Sequence, residues 1–295
     1  MVTRAESSAT FPPGAPVIRV DYHKPDELVK VFQGQDAVIC AIGNTGHLGQ
    51  KAMINAAEAA GVRRFILNDF GWDRDFRGIP EFDTILGGFR ESSDYAKGKA
   101  AANPGFTYTG ITISVCLDYV SATPYSSSPA QKTQLSRRCL TGTQALRSAP
   151  AIGFDMHNRS ALIYDSGTEP FTAVTLHGLG QAVVGVLQNP AETANRFVRV
   201  RSVQTCQNEV LGTFEKVTGC KWDVRQATTK ELYEAGRRKK EGGDMRWVAD
   251  LIAMQLYEAG AGRSLVAPSW EESDSPMLGV AEETVEAIVE KAMKE

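Results

Sequence analysis

The chain has 295 residues, of which 42% are hydrophobic and 23% are charged, a composition that supports one large or two small globular domains. Its 35 acidic and 32 basic residues nearly cancel, so it lacks the basic surplus that a nucleic-acid groove or an anionic membrane surface requires. With neither a long apolar run nor a signal peptide in the sequence, we expect a soluble cytoplasmic protein that binds no membrane and does not bind nucleic acid directly.

The first predicted elements alternate between short β-branched runs and helical patterns. Strands are predicted at residues 17–20, 36–42 and 64–67, and helices at residues 24–32 and 50–60. A proline and two acidic residues open the first helix, and a glycine follows each helix, as is typical of helix starts and ends. The alternation predicts a parallel sheet with crossover helices.

The pattern continues with a weaker helix at residues 92–102 and a strand at residues 108–115. Residues 121–150 interrupt it, because they contain six Ser, four Thr, three Pro, three Arg and no acidic residue, and show no apolar periodicity. Such a composition predicts an irregular segment. Beyond it we predict strands at 161–164 and 196–200 and helices at 179–187, 208–218, 244–259 and 282–293, the helix at 244–259 being the more polar.

The cysteines and histidines do not indicate a metal site. The five cysteines are odd in number and widely spaced, and no two of them form a Cys-x-x-Cys motif. The four histidines are also scattered, without the spacing of a ligand set. We therefore expect buried, reduced cysteines and no bound metal.

A glycine-rich turn, Gly43-Asn-Thr-Gly46-His-Leu-Gly49, follows a predicted buried strand and opens a helix. In that context glycines let backbone amides approach a pyrophosphate at the helix N-terminus, and Asp69, about twenty residues on, would bind a ribose. The alternative is a later turn of the same sheet. We favour the later turn, because a strand, a helix and a strand already precede Gly43.

Several segments resemble the NmrA-like and isoflavone-reductase-like branch of the atypical short-chain dehydrogenase/reductases. The most specific is Ala60-Gly-Val-Arg-Arg-Phe-Ile-Leu-Asn-Asp-Phe-Gly-Trp-Asp73, which is close to the signature of the family's fifth strand. Weaker matches lie at residues 17–22, 34–43, 103–110, 162–172 and 195–209. Together they span most of the chain.

The resemblance implies an α/β fold, with a doubly wound parallel (Rossmann-like) sheet that binds NADP and a smaller α/β substrate domain. It also implies site residues: Arg4 for the adenosine 2′-phosphate, Gly43 and Asn44 beside the ribose, and Phe70 with Gly71 against the nicotinamide. Enzymes of this family reduce small phenolic or other aromatic compounds with NADPH. A small-molecule substrate of that kind is therefore expected.

The sequence departs from the family at its start. The family opens with a strand, a glycine-rich loop and a helix, whereas Met1-Val-Thr-Arg4 matches only the end of the family's second strand. We therefore expect a sheet without its first strand and glycine loop. Since that strand is central in the order 3-2-1-4-5-6, two strand edges would be left unpaired. NADPH binding is accordingly expected to be weak or absent.

A second departure concerns catalysis. Where reductases of the family carry a lysine, at the start of the helix after strand five, this chain has Phe89 followed by Arg90. Tyr95-x-x-x-Lys99 resembles the short-chain-dehydrogenase pair, in which lysine lowers the pKa of a tyrosine acid. Only eight residues separate Lys99 from the next predicted strand, however, so we interpret it as a solvated helix end. No catalytic residue is identified.

The third departure is the segment 121–150, which is longer than the family's connection. A translated intron would have this composition, and a regulatory insert is the alternative. The expected organisation is an NAD(P)-binding domain at residues 1–120, an irregular insert at 121–150, and a region at 151–295 that is mainly the substrate domain with returning elements.

Two hypotheses about function follow from the resemblance. The first is an NADP-dependent oxidoreductase that acts on a small aromatic substrate, impaired by the missing glycine loop. The alternative is a non-catalytic NAD(P)-sensing regulator with a protein partner, and the unmatched lysine favours it. A further possibility is an inactive fragment. The basic run Arg237-Arg-Lys-Lys240 and the tryptophans other than Trp72 are interpreted as a solvated helix end and as packing residues. Trp72 follows the Phe70-Gly71 corner, so substrate contact and packing are equally compatible with it.

Overall fold

A computed structural model of the protein describes residues 1–42, 47–71, 78–118, 153–156 and 158–294. The strands are β1 Val2–Arg4, β2 Ile18–Val20, β3 Ala37–Ile39, β4 Arg64–Ile66, β5 Thr107–Thr112, β6 Val115–Cys116, β7 Phe154–Asp155, β8 Ser160–Tyr164, β9 Phe171–Val174, β10 Arg196–Arg199, β11 Val203–Thr205 and β12 Asp223–Ala227. The helices are α1 Pro25–Phe32, α2 His47–Ala59, α3 Asp83–Ala102, α4 Leu176–Gln188, α5 Gln207–Thr218, α6 Thr229–Glu241, α7 Trp247–Tyr257 and α8 Val285–Lys294. One turn of 3-10 helix, Pro80–Phe82, leads into α3.

Two compact units divide the chain. The first comprises Met1–Asp69, Ile85–Gly110 and Pro190–Phe197, and the second comprises Phe70–Thr84, Ile111–Asn189 and Val198–Glu295. The first unit therefore includes a short segment from late in the chain, Pro190–Phe197. The boundaries expected at residues 120 and 150 fall outside the described residues, and the domain division at those positions stays a prediction.

A four-stranded sheet with the order β10-β5-β4-β3 carries the first unit. Strands β3 and β4 are parallel, with Val38 opposite Phe65, and β4 and β5 are parallel, with Phe65 opposite Tyr108. Helices α2 and α3 connect these strands, as the alternating sequence pattern predicts. The expected α/β fold with a parallel sheet is confirmed.

Strands β1 and β2 form a separate parallel pair, with Thr3 opposite Arg19. In the family's strand order the first strand would lie between the strands that correspond to β1 and β3. Among the described residues, no strand joins β1 to β3. The pair still packs on the same core as the larger sheet, since Val2 and Val38 both contact it. The absence of the first strand and its glycine loop stays a prediction.

Local sequence explains the helix α1. Pro25 is its first residue, where the missing N–H has no intrahelical partner to lose, and Asp26 and Glu27 lie in the first turn, which favours negative charge. Gly34 follows the helix with φ 74°, a left-handed conformation that glycine adopts without strain. The buried residues Leu28 and Phe32 are four apart and therefore share one face.

Two helices of the second unit differ from the expectation. Only the end of helix α6, at Arg237–Lys240, was expected to be helical, although a capping box begins the helix: the Thr228 side chain accepts from the N–H of Glu231, and the Glu231 carboxylate accepts from the N–H of Thr228. Helix α7, expected to be the more polar one, has nine of its eleven residues buried. Its polar appearance came from the flanking residues 244–246 and 258–259, which lie outside the helix.

Aromatic side chains fill two parts of the second unit. Phe154, Phe214 and Trp222 form one cluster, with ring centroids 4.6–6.5 Å apart. Tyr257 lies between Tyr164 and Phe171 in the other, at 5.8 and 5.7 Å. Trp222 and also Trp247 are buried, as expected of packing residues.

Among the described residues, no helix is both long enough and apolar enough to cross a membrane.

Candidate functional site

The candidate site of the first unit lies where parallel strands end. In open α/β sheets, ligands bind in the crevice outside the carboxyl ends of the strands. At that end of β3 and β4, the N–H of Cys40 donates to the carbonyl of Ile66 at 2.9 Å. The N–H of Leu67 donates to the carbonyl of Thr109 at 2.9 Å, so β4 stays paired with β5 at this level.

Two buried amide side chains lie beside this edge. The Oδ1 of Asn68 accepts from the N–H of Ile42 at 3.1 Å, and the Oε1 of Gln50 accepts from the N–H of Asn68 at 2.6 Å. Gln50 is 1% exposed and Asn68 8% exposed. Neither residue was predicted from the sequence. Asn68 comes shortly after strand β4 and Gln50 lies on helix α2, which precedes that strand, so no local pattern links the two.

Cys40, at the same edge, does not supply a nucleophile. Its Sγ lies 3.7 Å from the Sδ of Met53, and only 3% of its surface is exposed. Burial raises the pKa of the Cys40 thiol to about 12. The thiol is therefore protonated at neutral pH and packs as a small apolar side chain. Cys116 is buried as well, as expected, whereas Cys206 and Cys220 are half-buried.

The residues expected at the nicotinamide and ribose are described in part. Phe70 and Gly71 are half-buried, and the carbonyl of Gly71 accepts from the N–H of Ile113 at 2.9 Å. Gly43 and Asn44 lie outside the described residues, and so does Trp72. The corner formed by Phe70 and Gly71 is thus held against the chain just after β5.

Ser114, one residue beyond Ile113, is unusual in two respects. It has φ 58°, a left-handed conformation that is rare for serine, and it is 5% exposed. Its Oγ is buried and has no hydrogen-bond partner among the described residues. Buried polar atoms are nearly always paired, so this hydroxyl, directly before strand β6, is an exception.

Arg4, expected at the 2′-phosphate, ends strand β1 in the first unit. Its side chain is 58% exposed, and its Nη1 lies 3.6 Å from the Oε1 of Glu6. The pKa of nearby Tyr22 is raised, chiefly by burial, while the positive charge of Arg4 opposes the rise. An exposed guanidinium that forms a single surface ion pair, with Glu6, still has N–H donors that can bind an anion. Arg4 belongs to the first unit, and Phe70 and Gly71 to the second.

Tyr95 and Lys99 are engaged between helices. The Tyr95 hydroxyl donates to the Oδ1 of Asn55 at 2.6 Å, and the Lys99 Nζ lies 2.7 Å from the Oε2 of Glu58. The hydrogen bond from Lys99 to Glu58 raises the pKa of Lys99. Asn55 and Glu58 are in the last turns of α2, which lead to the amino end of β4. The pair thus lies away from the carboxyl edge of the sheet, in agreement with its interpretation as a helix end.

Phe89, which stands where the family's lysine is expected, is 7% exposed in helix α3. An apolar ring at this position cannot donate or accept a proton. The described residues therefore add no catalytic group at that position.

The basic run Arg237–Lys240 is partnered within the second unit. Arg237 lies 3.8 Å from the carboxylate of Glu81, Lys239 forms an ion pair with Asp250, and Lys240 lies 5.1 Å from the ring centroid of Trp247. The Tyr233 hydroxyl also donates to Glu81, at 2.8 Å. The run lies in the last turns of helix α6, as expected, but Arg237, Lys239 and Lys240 contact other side chains and are not simply solvated.

Comparisons with known proteins bear on the family of the chain. A family model described as NAD(P)H-binding matches residues 1–132. The oxidoreductase poxI of Penicillium oxalicum is 47% identical over 294 residues, which cover 100% of this chain and 85% of that protein. The oxidoreductase aprR of Aspergillus flavus is 26% identical over 296 residues, which cover 100% of this chain and 89% of that protein.

Solved structures share the fold at lower identity. AtPrR2 with NADP+ and (+)pinoresinol superposes with a TM-score of 0.68 and 18% identity, covering 95% of this chain and 82% of that one. A ternary complex of leucoanthocyanidin reductase from Vitis vinifera gives a TM-score of 0.68 and 16% identity, covering 96% and 87%. An isoflavone reductase gives 0.66 and 19%, covering 98% and 90%. At these identities the likeness concerns the fold.

Proposed function

Since this chain belongs to the NmrA-like and isoflavone-reductase-like family of NAD(P)H-binding oxidoreductases, we propose that it transfers a hydride from NADPH to a small aromatic substrate. The observation that carries the proposal is the run from Ala60 to Asp73, which resembles the family's fifth-strand signature and contains the corner Phe70-Gly71 after β4. The 47% identity to an oxidoreductase over the whole chain supports it.

The residues present fit a nicotinamide cofactor in two respects. The exposed guanidinium of Arg4 suits a 2′-phosphate, which distinguishes NADPH from NADH. At Gly71, a Cβ would meet no described atom within 4 Å, which leaves steric room at the corner for a nicotinamide ring. Bound NADPH would supply the hydride, and the protein would position it.

Each residue then has a defined task. Arg4 binds the 2′-phosphate, Gly43 and Asn44 approach the ribose, and Phe70 with Gly71 packs one face of the nicotinamide. Reduction of the substrate would require a hydride from bound NADPH and a proton from solvent. No side chain of this chain is assigned as the proton donor.

Gly71 offers a direct test of the nicotinamide position. A Cβ added at Gly71 meets no atom within 4 Å among the described residues, and the same holds for Gly98 on α3. Gly71→Ala should therefore fold normally, yet its methyl group would intrude on a nicotinamide that packs against the corner. We expect Gly71→Ala to weaken NADPH binding, measured by titration, and Gly98→Ala to leave it unchanged.

Turnover is tested by incubating the full chain with NADPH and a panel of phenolic compounds and following the loss of NADPH fluorescence. Steady oxidation with one of them supports the proposal. Binding without oxidation of NADPH would contradict it and indicate the regulator instead. The weak affinity expected from the sequence is tested by the same titration, and a micromolar dissociation constant would contradict that expectation.

A further inference from the structure

Strand β12, in the second unit, lies at the edge of the sheet with the order β12-β8-β7. Among the described residues it pairs only with β8, in parallel, with Arg225 opposite Leu162. It has five residues, more than any other edge strand in the described part of the chain, and the first four are exposed. Exposed edge strands offer unpaired backbone groups to other strands, and proteins usually keep such strands short. The outer edge of β12 is therefore a candidate docking surface.

The hydrogen bonds to β8 show which backbone groups of β12 remain available. At one end the N–H of Asp223 donates to the carbonyl of Arg159 at 2.9 Å. At the other end the N–H of Asp165 donates to the carbonyl of Ala227, also at 2.9 Å. Alternate residues of a strand face the same neighbour, so the first, third and fifth residues of β12 face β8. The N–H and carbonyl groups of the second residue, Val224, and of the fourth consequently face away from β8.

The side chains of this edge carry one charge of each sign. Asp223 and Arg225 are two residues apart and therefore lie on the same face of the strand. Both are exposed, and among the described residues neither forms an ion pair. Val224, which is 39% exposed, places an apolar side chain on the other face. Charges of a single sign would repel the same edge of a second copy, whereas this pattern can match itself.

We propose that two copies of the chain pair through β12 as antiparallel strands, with a two-fold axis at Val224. In this register Asp223 of each copy lies directly opposite Arg225 of the other, and opposite charges facing each other across antiparallel strands attract. The two Val224 residues exchange two backbone hydrogen bonds across the axis. Moving the axis to Asp223 or to Arg225 would place like charges opposite each other. The charges therefore select the register, and the inference is independent of the proposed function.

Sedimentation velocity of the full chain over a range of concentrations measures the association. The paired surface is small, so we expect a weak dimer with a dissociation constant of about 10–100 μM. Arg225→Asp and Asp223→Arg each place like charges opposite each other in the proposed register. Each should raise the dissociation constant about tenfold or more. Both residues are exposed and form no ion pair among the described residues, so both variants should fold.

A mixture of the two variants tests the register directly. In a pair made of one copy of Arg225→Asp and one copy of Asp223→Arg, the first copy contributes two aspartates and the second two arginines. Every charge then faces an opposite charge. The mixture should therefore associate at least as tightly as the wild type, although neither variant does so alone. The double variant Asp223→Arg/Arg225→Asp reverses both charges and should associate with itself as the wild type does.

Lys230→Asp provides a control with the same change in net charge as Arg225→Asp. Lys230 is exposed in the first turn of α6, outside β12, so its dissociation constant should equal that of the wild type. A further variant tests the backbone bonds. Val224→Pro removes an N–H that faces away from β8, so it deletes bonds between the copies without breaking a bond to β8. We expect it to prevent association.

Each outcome bears on the proposal. A wild type that remains monomeric at about 300 μM would overturn it. A dimer with the same dissociation constant in the two single-charge variants would also overturn it, because another surface would then hold the copies together. Failure of the mixed variants to associate would overturn the antiparallel register. An equal loss of association in Lys230→Asp would show an effect of net charge alone. Should Val224→Pro not fold, the mixture of exposed-charge variants still decides the question.

Discussion

The guanidinium of Arg64 donates from Nη1 to the Oγ1 of Thr193 at 2.9 Å and so ties β4 to a segment 129 residues further along the chain. The same side chain donates to Thr107 at 2.9 Å, to Thr109 at 2.7 Å and to the carbonyl of Pro190. Arg64 is 7% exposed, and burial lowers its pKa. All these acceptors are neutral oxygens, and they surround the planar, forked guanidinium group of Arg64.

Arg64→Lys should destabilise the protein by about 2–4 kcal/mol, because an ammonium group cannot reach four acceptors that a guanidinium fork spans. The midpoint of urea unfolding measures the change. Arg63, the preceding residue, is 75% exposed and pairs with Asp36 on the surface, so Arg63→Lys should change stability by less than about 0.5 kcal/mol. Equal midpoints for the two variants would contradict the assigned role of Arg64.

Gly110 on β5 approaches the aromatic ring of Phe197 on β10. A Cβ at Gly110 would lie 2.1–2.6 Å from three ring carbons. Gly110→Ala should therefore cost about 1–3 kcal/mol by overpacking, measured by thermal unfolding. In Gly110→Ala/Phe197→Leu the smaller side chain should recover part of the loss. Gly98→Ala on the exposed face of α3 should instead stabilise the helix by about 0.5–1 kcal/mol. If Gly110→Ala left the temperature of unfolding unchanged, the Phe197 ring would have room to move away from the added methyl group.

Arg4→Gln should weaken binding of NADPH about tenfold and leave binding of NADH unchanged, because only NADPH carries the 2′-phosphate. Titration with adenosine 2′,5′-bisphosphate isolates that half of the cofactor. Arg19, an exposed arginine on the neighbouring strand β2, provides the control, and Arg19→Gln should bind both nucleotides as the wild type does. If the two variants behaved alike, the effect would reflect surface charge in general.

Stability should fall with rising pH between about 10 and 12. Burial, with a contribution from the negative charge of Asp250, raises the pKa of Tyr164 from 10.0 to about 12. Above pH 10 the unfolded chain releases this proton while the folded chain keeps it. The free energy of unfolding therefore falls as pH rises. Each such group contributes at most about 1.4 kcal/mol per pH unit. Tyr164→Phe should show a shallower decline in urea midpoint over this range, and parallel profiles would refute the assignment. Burial also raises the pKa of Tyr257, so part of the decline remains.

Local signals in the sequence were sufficient to predict where some helices begin and end. The limits predicted for α1 and α5 agree with the structure to within one residue, because proline, acidic residues and a following glycine act within a single turn. Gly219, with φ 64°, ends α5 in the left-handed conformation. The first half of α3 was missed, since Gly87 and Gly88 lower its helix propensity and burial of Phe89 compensates only in the folded protein.

Features that depend on contacts between distant residues could not be predicted from local sequence signals. The strand predicted at residues 108–115 ends as β5 at Thr112, because Ser114 turns into a left-handed conformation. In the candidate site, the Phe70-Gly71 corner could be found from its resemblance to a known motif. Asn68 and Gln50 could not, since their bonds join residues 26 and 18 positions apart, and neither residue type signals a distant partner.

The order of the strands β10-β5-β4-β3 has a consequence for biosynthesis. The neighbour that covers the outer edge of β5 is made only after β6, β7, β8, β9 and α4 have left the ribosome. At translation speeds of roughly 5–20 residues per second, the nascent chain carries an open β5 edge for several seconds. Exposed strand edges recruit other strands, so this interval is when a chaperone is most useful to the protein. Gly110→Ala, which would hinder the docking of β10 through Phe197, should prolong the exposure of the β5 edge.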